Sequence, residues 1–248
     1  MPNRLVFRVC LFAIAATIGV IATGPFGGRV HAGVSVLLAV ALIALAVLRR
    51  DRLAFLGLGL FLATGGLARL IKVSPWAAVG HEVLAPALLS LVCFIAAEAW
   101  PGTDSMVEDS GKPSVWALAR ITPPAILLQV FMGALYRHAI TNVALHVVGA
   151  MFVGALIMFA GISVMILPGV GKVLQRISGA LLGVTVLQFM LGIYAYVSRI
   201  TAEENGVVAG VSHVAVSHIV TGGLTMGLSV VLAILVYRYV RPAEAVAA

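Results

Sequence analysis

Charged residues are scarce in this sequence: Asp, Glu, Lys and Arg make up 10% of its 248 residues, and hydrophobic residues make up 62%. A soluble domain has about a quarter of its residues charged, so this composition argues against a soluble protein. The chain also lacks Gly-x-Ser-x-Gly, His-Glu-x-x-His and P-loop motifs, which argues against the hydrolases, zinc peptidases and nucleotide-binding enzymes that they mark. The composition predicts a polytopic membrane protein in contact with lipid.

Long apolar runs are what the sequence has instead. A membrane-spanning helix needs roughly 20 mostly apolar residues. That template fits eight times, at about 6–23, 31–48, 53–72, 79–98, 116–137, 145–167, 177–198 and 214–238. The connections between these runs are mostly short, so we expect an all-α bundle of eight transmembrane helices.

The basic residues predict how this bundle is oriented. We expect the first run to be a retained span rather than a cleaved signal peptide, so eight spans place both termini on one side. Most of the 16 Lys and Arg residues fall on the side of the termini, which the positive-inside rule identifies as cytoplasmic. The expected location is therefore the inner (cytoplasmic) cell membrane. Since this asymmetry accounts for the net charge of +7 and the basic residues form no patch with aromatics, no nucleic-acid partner is expected.

Polar residues concentrate in the stretch QVFMGALYRHAITNVALH, from Gln129 to His146. On a helix, Gln129, Gly133 and Arg137 lie on one stripe, because they are spaced four residues apart. His146 opens the next helix above small residues. These features fit a planar cofactor ligated by the imidazole, with Arg137 reaching its anionic groups. They also fit ordinary packing of membrane helices through small residues, and both interpretations stay open at this point.

The histidines divide the chain into two similar halves. HAGVSVLLAVALIAL, from His31, aligns with HVVGAMFVGALIMFA, from His146, and GHEVLAPALLSLV aligns with SHIVTGGLTMGLS. We therefore predict two four-helix halves, 1–99 and 116–248, joined by a polar cytoplasmic hinge at 100–115. Each half carries a histidine pair at its outer side, His31 with His81 and His146 with His218. Such pairs, facing each other within a bundle, are suited to axial ligation of a heme iron.

Several further residues are candidates for the same site. His138 and His213 have no counterpart in the first half and are predicted to support the ligands or to replace one of them, which leaves His213 and His218 as alternatives. The pattern Leu-Gln-x-x-x-Gly occurs in LQVFMG and again in LQFMLG, which places Gln188 and Gly192 as Gln129 and Gly133 are placed. The alternative role for each glutamine is a buried amide that hydrogen-bonds between helices.

Together, the run QVFMGALYRH, the histidine that opens the next helix, and LQFMLG resemble the heme A synthase family of membrane proteins, which act in cytochrome oxidase assembly. The resemblance implies heme B at His146 and His218, and a second, substrate heme (heme O or heme A) at His31 and His81. It also implies oxidation of heme O to heme A, with a heme O-producing enzyme and respiratory-chain components as partners.

The sequence departs from that family at the expected catalytic half. Where the family has a Glu and an Arg around the first histidine, this chain has Gly28 and Ala32. It also lacks the family's cysteine pair in the outer loop, and Cys10 and Cys93 lie within apolar runs. No Cys-x-x-Cys-His motif occurs, so covalent heme attachment is excluded.

The remaining candidate for a catalytic acid is Glu82, which could instead pair with Lys72 or Arg69. Two functions therefore stay open: a heme-modifying enzyme, and a non-catalytic b-type cytochrome or assembly subunit that transfers electrons through heme B. A small-solute transporter is less favoured, because the halves are parallel repeats and no helix is visibly broken.

Overall fold

The computed structural model describes residues 4–102, 105–205 and 212–243, except the side chain of residue 203, and nearly all of them are helical. Eight helices follow one another along the chain, with a short 3-10 turn, Gly24–Phe26, after the first. Their bounds are α1 Arg4–Thr23, α2 Gly28–Arg49, α3 Arg52–Ala68, α4 Pro75–Glu98, α5 Val115–Arg137, α6 Val143–Ile166, α7 Lys172–Glu204 and α8 His213–Tyr239.

Seven of these helices are long and apolar enough to cross a membrane, which confirms the prediction of an all-α, multi-pass membrane protein. The exception is α3, whose 17 residues fall short of the predicted span 53–72. At 1.5 Å per residue it is about 25 Å long, just under the hydrocarbon thickness of a bilayer. It ends early because Gly65 and Gly66 weaken its last turn and Ser74 caps the next helix by accepting from the Ala77 amide.

The helices pack in the same order in both parts of the chain. α1 and α3 each pack against α2 and α4, and α5 and α7 each pack against α6 and α8. Contacts between the two groups run through α8, which touches α1 and α4, and through α4 and α5. Consecutive helices run in opposite directions, so the ends of α1, α3, α5 and α7 lie with the starts of α2, α4, α6 and α8. We call this side of the bundle the histidine end.

Three buried clusters hold the bundle together. One contains residues from Val6 to Ala99, and another contains residues from Val115 to Val240. The third joins the two groups of helices through Ile21, Leu89 and Cys93. A side chain at Gly227 would lie 3.0 Å from Cys93 Sγ, so this glycine allows α8 to approach α4 closely. Both cysteines are free and buried, as expected of small apolar residues.

The segment predicted to be a hinge is held against the end of α8. Val107–Asp109 forms strand β1, which pairs in parallel with β2, Val240–Pro242, directly after that helix. The Tyr239 hydroxyl donates to the Gly102 carbonyl at 2.7 Å, and Arg238 donates to the Trp100 carbonyl at 3.1 Å. Each of these strands has only three residues, too few for an alternating pattern that would predict a strand from the sequence.

Asp109 is the buried anchor of this segment. Its carboxylate accepts from the amides of Gly111 at 2.9 Å and Val115 at 2.6 Å, and so satisfies a backbone donor at the start of α5. We expect Asp109→Ala to lower the free energy of unfolding by about 1–3 kcal/mol, because it leaves the buried Val115 amide without an acceptor. Thermal denaturation in detergent, followed by circular dichroism, measures the effect.

The matched control is Glu108→Ala, at the exposed neighbouring position of the same strand. Its effect should stay within about 0.5 kcal/mol, as is usual for a surface substitution. Equal stability of the two variants would mean that the carboxylate of Asp109 does not hold the segment in place.

Candidate functional site

His146 and His218 face each other at the histidine end, between α6 and α8. Their ring centres are 6.3 Å apart and their planes are nearly perpendicular, at 89°. His146 lies in the first turn of α6, which Asn142 caps by accepting from the Ala144 amide, and His218 lies in the second turn of α8. The fold therefore brings together the two histidines that the sequence pattern pairs.

Their separation fits two ligands on opposite sides of one metal ion. An imidazole nitrogen binds a first-row metal ion at about 2 Å and lies roughly 1 Å from its ring centre, so two such rings have centres about 6 Å apart. Among the described residues, no three His, Cys, Asp or Glu side chains converge as a bare-ion site would require.

Each of these two rings lies against a glycine of the preceding helix. A Cβ at Gly133 of α5 would lie 2.9 Å from His146 Cε1, and one at Gly192 of α7 would lie 2.8 Å from His218 Cε1. Any larger residue would push the imidazole away. Both predicted Gln-x-x-x-Gly motifs thus supply the surface on which a facing imidazole rests.

The two glutamines bind the same imidazoles, but in different ways. The Gln129 amide nitrogen donates to His146 Nδ1 at 2.9 Å and to the His146 carbonyl at 2.8 Å. His218 Nδ1 donates to the Gln188 backbone carbonyl at 3.1 Å, while the Gln188 side chain accepts from the Thr221 hydroxyl. The Gln188 amide nitrogen also lies 3.5 Å from His218 Nε2. Each glutamine therefore forms a hydrogen bond between helices and also contacts a candidate ligand.

His31 and His81 are held in a comparable manner in the first group of helices. His81 Nδ1 donates to the Thr64 backbone carbonyl of α3 at 2.9 Å. His31 Nδ1 lies 3.2 Å from the Thr23 hydroxyl, whose own proton goes to the Gly19 carbonyl, so the imidazole is the donor. The described residues include no ring contact between His31 and His81, unlike the second pair.

Glu82 pairs with α5 rather than with the predicted partners Lys72 or Arg69. Its carboxylate lies 3.2 Å from Arg137 Nε and 3.2 Å from His138 Nε2, although the second contact is outside hydrogen-bond geometry. Arg137, which is predicted to reach anionic groups of a cofactor, thus contacts α4 through its Nε. These contacts link the two groups of helices at the histidine end.

His213 lies apart from the facing pair. It is exposed at the first position of α8 and stacks on Phe26 of the 3-10 turn, with ring centres 5.3 Å apart. Of the two alternatives in α8, the structure places His218 opposite His146 and leaves His213 at the surface. Five positions separate them, so they point to different sides of the helix.

Three threonines that the sequence pattern does not single out also belong to these sites: Thr23, Thr64 and Thr221. Thr221 follows His218 by three residues and therefore lies on the same helix face, which is a signal that could have been used. Thr64 acts through its backbone carbonyl, and no side-chain pattern marks such a role.

Substitution of the two glycines tests whether the imidazoles are held as described. We expect Gly133→Ala and Gly192→Ala each to lower the free energy of unfolding by about 1–3 kcal/mol, because the added methyl group displaces a packed ring. Thermal denaturation in detergent measures the change.

Gly183→Ala, on α7, is the matched control, since a Cβ there meets nothing within 4 Å. It should raise the free energy of unfolding by about 0.5–1 kcal/mol through the higher helix propensity of alanine. If all three variants behaved alike, the rings would not rest on Gly133 and Gly192.

No protein-family model, no curated protein and no solved structure matches this chain. The function of the chain is therefore inferred from its own residues and contacts.

Proposed function

We propose that this protein is an integral membrane b-type cytochrome, in which His146 and His218 are the axial ligands of a heme B. The observation that carries the proposal is the pair of facing imidazoles, 6.3 Å between ring centres, each backed by a glycine. When bound, the heme would supply one-electron oxidation and reduction. The protein holds the ligands, orients them and surrounds them with apolar helices.

The hydrogen bonds around the two rings support this proposal. A histidine that binds a metal ion almost always donates its other ring N–H to a carbonyl, carboxylate or water, which fixes the free nitrogen toward the metal. His218 does so through the Gln188 carbonyl, and its Nε2 therefore carries the lone pair. Gln129 lies beside the other ring and has a buried Oε1 without a hydrogen-bond partner. This orphaned oxygen is an acceptor available to a ligating His146.

We propose further that residues 1–99 and 116–248 are repeated four-helix halves. In support, the two groups of helices have the same order of neighbours and separate buried clusters. His81 binds the backbone carbonyl of α3 as His218 binds that of α7. The eight-span topology with cytoplasmic termini in the inner membrane belongs to the same proposal and follows from the charge asymmetry.

Oxidation of heme O to heme A is the second candidate function. It is favoured by His31 and His81, since each donates through Nδ1 and so keeps its Nε2 free for a metal ion. A heme O-producing enzyme and respiratory-chain components would then be partners. In the described part of the first half, however, Glu82, the carboxylate next to His81 in the sequence, points to Arg137 on α5 rather than to these histidines. We therefore place electron transfer before catalysis.

The backbone at Gly28 strengthens that preference. This residue, where the resembled family has its glutamate, adopts a φ of +75°. Residues other than glycine rarely adopt this left-handed backbone conformation, so the position favours glycine. The first half is thus arranged without the acid that would manage protons during oxidation.

Heme binding is tested on the purified full-length protein in two ways: a pyridine hemochrome assay identifies the heme type and amount, and the absorption spectrum of the reduced protein without pyridine reports its axial ligands. We expect heme B in the wild type and loss of most of the low-spin reduced α-band in His146→Ala and in His218→Ala, because each removes one axial ligand. His213→Ala is the control and should leave the spectrum unchanged, since His213 stacks on Phe26. Unchanged spectra in both ligand variants would rule out this heme site.

Catalysis is tested by co-expression with a source of heme O. For an electron-transfer protein, we expect membrane extracts to contain heme O and heme B but neither heme A nor a hydroxylated intermediate, as measured by liquid chromatography with mass spectrometry. Detection of heme A in the wild type and its loss in Glu82→Gln would reverse the order of the two candidates.

A further inference from the structure

We propose that Gln129 sets the tautomer of His146: its Nε2 donates to His146 Nδ1 in the protein without a cofactor, and its Oε1 accepts from Nδ1–H when His146 becomes a metal ligand. Gln129 would thus be a positioning residue with two arrangements. The first arrangement is a property of the protein without a cofactor, and the second rests on the proposed heme function. The two parts are tested separately.

The hydrogen-bond partner of His146 Nδ1 differs in kind from those of the other histidines of the two candidate pairs. An amide nitrogen can only donate, and Gln129 Nε2 gives hydrogen bonds to His146 Nδ1 at 2.9 Å and to the His146 carbonyl at 2.8 Å. The carbonyl is an acceptor, so it fixes which end of the amide faces the ring. The Gln129 backbone also lies beside this ring, but the amide nitrogen is the closer partner at 2.9 Å. With that partner His146 Nδ1 accepts, and in the neutral ring the proton lies on Nε2.

His218, His81 and His31 have the opposite tautomer. The partners of His218 and His81 are backbone carbonyls, which only accept, and the partner of His31 is a hydroxyl that donates elsewhere. Each of these rings carries its proton on Nδ1 and leaves the lone pair on Nε2. Of the two imidazoles that face each other, His218 keeps its lone pair on Nε2, 3.5 Å from the Gln188 amide nitrogen, whereas His146 carries its proton there.

The acceptor needed for His146 to change its tautomer already lies beside the ring. Gln129 Oε1 is buried and has no hydrogen-bond partner. It lies against Gly149 of α6, where a Cβ would be 2.5 Å away, so the glycine makes room for the amide. A buried acceptor without a donor is costly and calls for an explanation. In the second arrangement Oε1 accepts from Nδ1–H and is satisfied.

The change conserves protons. The proton on His146 Nε2 is lost to solvent as another binds Nδ1, so the ring stays neutral and Nε2 gains the lone pair that a metal ion requires. The Gln129 side chain turns so that Oε1 replaces Nε2 at Nδ1, and the amide moves away from the His146 carbonyl oxygen, which would repel Oε1 at the 2.8 Å that Nε2 occupies. The His146 carbonyl gives up the amide donor but keeps its place in the helical hydrogen-bond ladder.

Nuclear magnetic resonance of the full-length protein tests the first part. The protein carries ¹⁵N-labelled histidine and is produced without heme, and a His146→Gln variant identifies the signals of that residue. We expect His146 protonated on Nε2 and His218 protonated on Nδ1. In Gln129→Leu, which removes the donor, a population of His146 protonated on Nδ1 should appear. Protonation of wild-type His146 on Nδ1 would overturn the proposal.

Gln188→Leu is the matched control for this measurement. The acceptor for His218 Nδ1 is the backbone carbonyl of Gln188, which the substitution retains. His218 should therefore stay protonated on Nδ1, whereas a change of its tautomer would show that the two glutamines act alike and would overturn the assigned difference. Circular dichroism confirms that each variant is folded.

Heme titration tests the second part, with heme B added to the cofactor-free protein. Gln129→Leu should bind ferric heme about 10–100-fold more weakly, the usual loss when the partner of a ligating histidine is removed. Gln129→Glu, whose carboxylate accepts from Nδ1–H, should restore binding and lower the midpoint potential, because it raises the basicity of the ligand.

Equal heme affinity in Gln129→Leu and the wild type would overturn the second arrangement, and so would failure of Gln129→Glu to restore binding. If the wild type binds no heme at all, the proposed function fails. The tautomers measured without heme then still decide the first arrangement.

Discussion

The structure depends on holding four imidazoles inside an apolar bundle. A polar ring in apolar surroundings is costly unless its nitrogens are satisfied, and Nδ1 of each candidate ligand is hydrogen-bonded to a group of the preceding helix. This contact fixes the rotation of the ring and determines its tautomer. The close approach of α5 to α6 and of α7 to α8, through Gly133 and Gly192, follows from the need to deliver these bonds.

The same constraint explains why the two groups of helices are joined as they are. Apolar contacts between helices gain little inside a bilayer, so close packing and polar contacts must align them. At the histidine end, Glu82 of α4 contacts Arg137 of α5. At the opposite end, Asp109 and the paired strands bind the connecting segment to α8. In mid-bundle, Gly227 allows Cys93 to pack against α8, so the interface is fixed along its length.

Sequence patterns predicted the helical architecture because membrane spans are long and uniform. They also singled out the two Gln-x-x-x-Gly motifs whose residues lie against His146 and His218, since a Gln and a Gly four residues apart necessarily share a helix face. They did not predict the direction of Glu82, because which of several nearby cations it meets depends on how α4 and α5 are placed. The roles of the Thr64 and Gln188 carbonyls were equally inaccessible, because every residue has a carbonyl and only the packing selects one.

The difference between the two histidine pairs bears on what the protein can do. The second pair faces ring to ring at the separation of two axial ligands, and glutamine amides contact both rings. The first pair has threonine partners, no ring contact among the described residues, and a glycine with positive φ where an acid would serve catalysis. Heme chemistry that oxidises a substrate needs the first half to handle protons, whereas electron transfer needs only that the second half hold an iron between two fixed imidazoles. Two glutamine side chains and Thr221 form the polar surroundings of the second pair, and this is the physical reason to favour electron transfer.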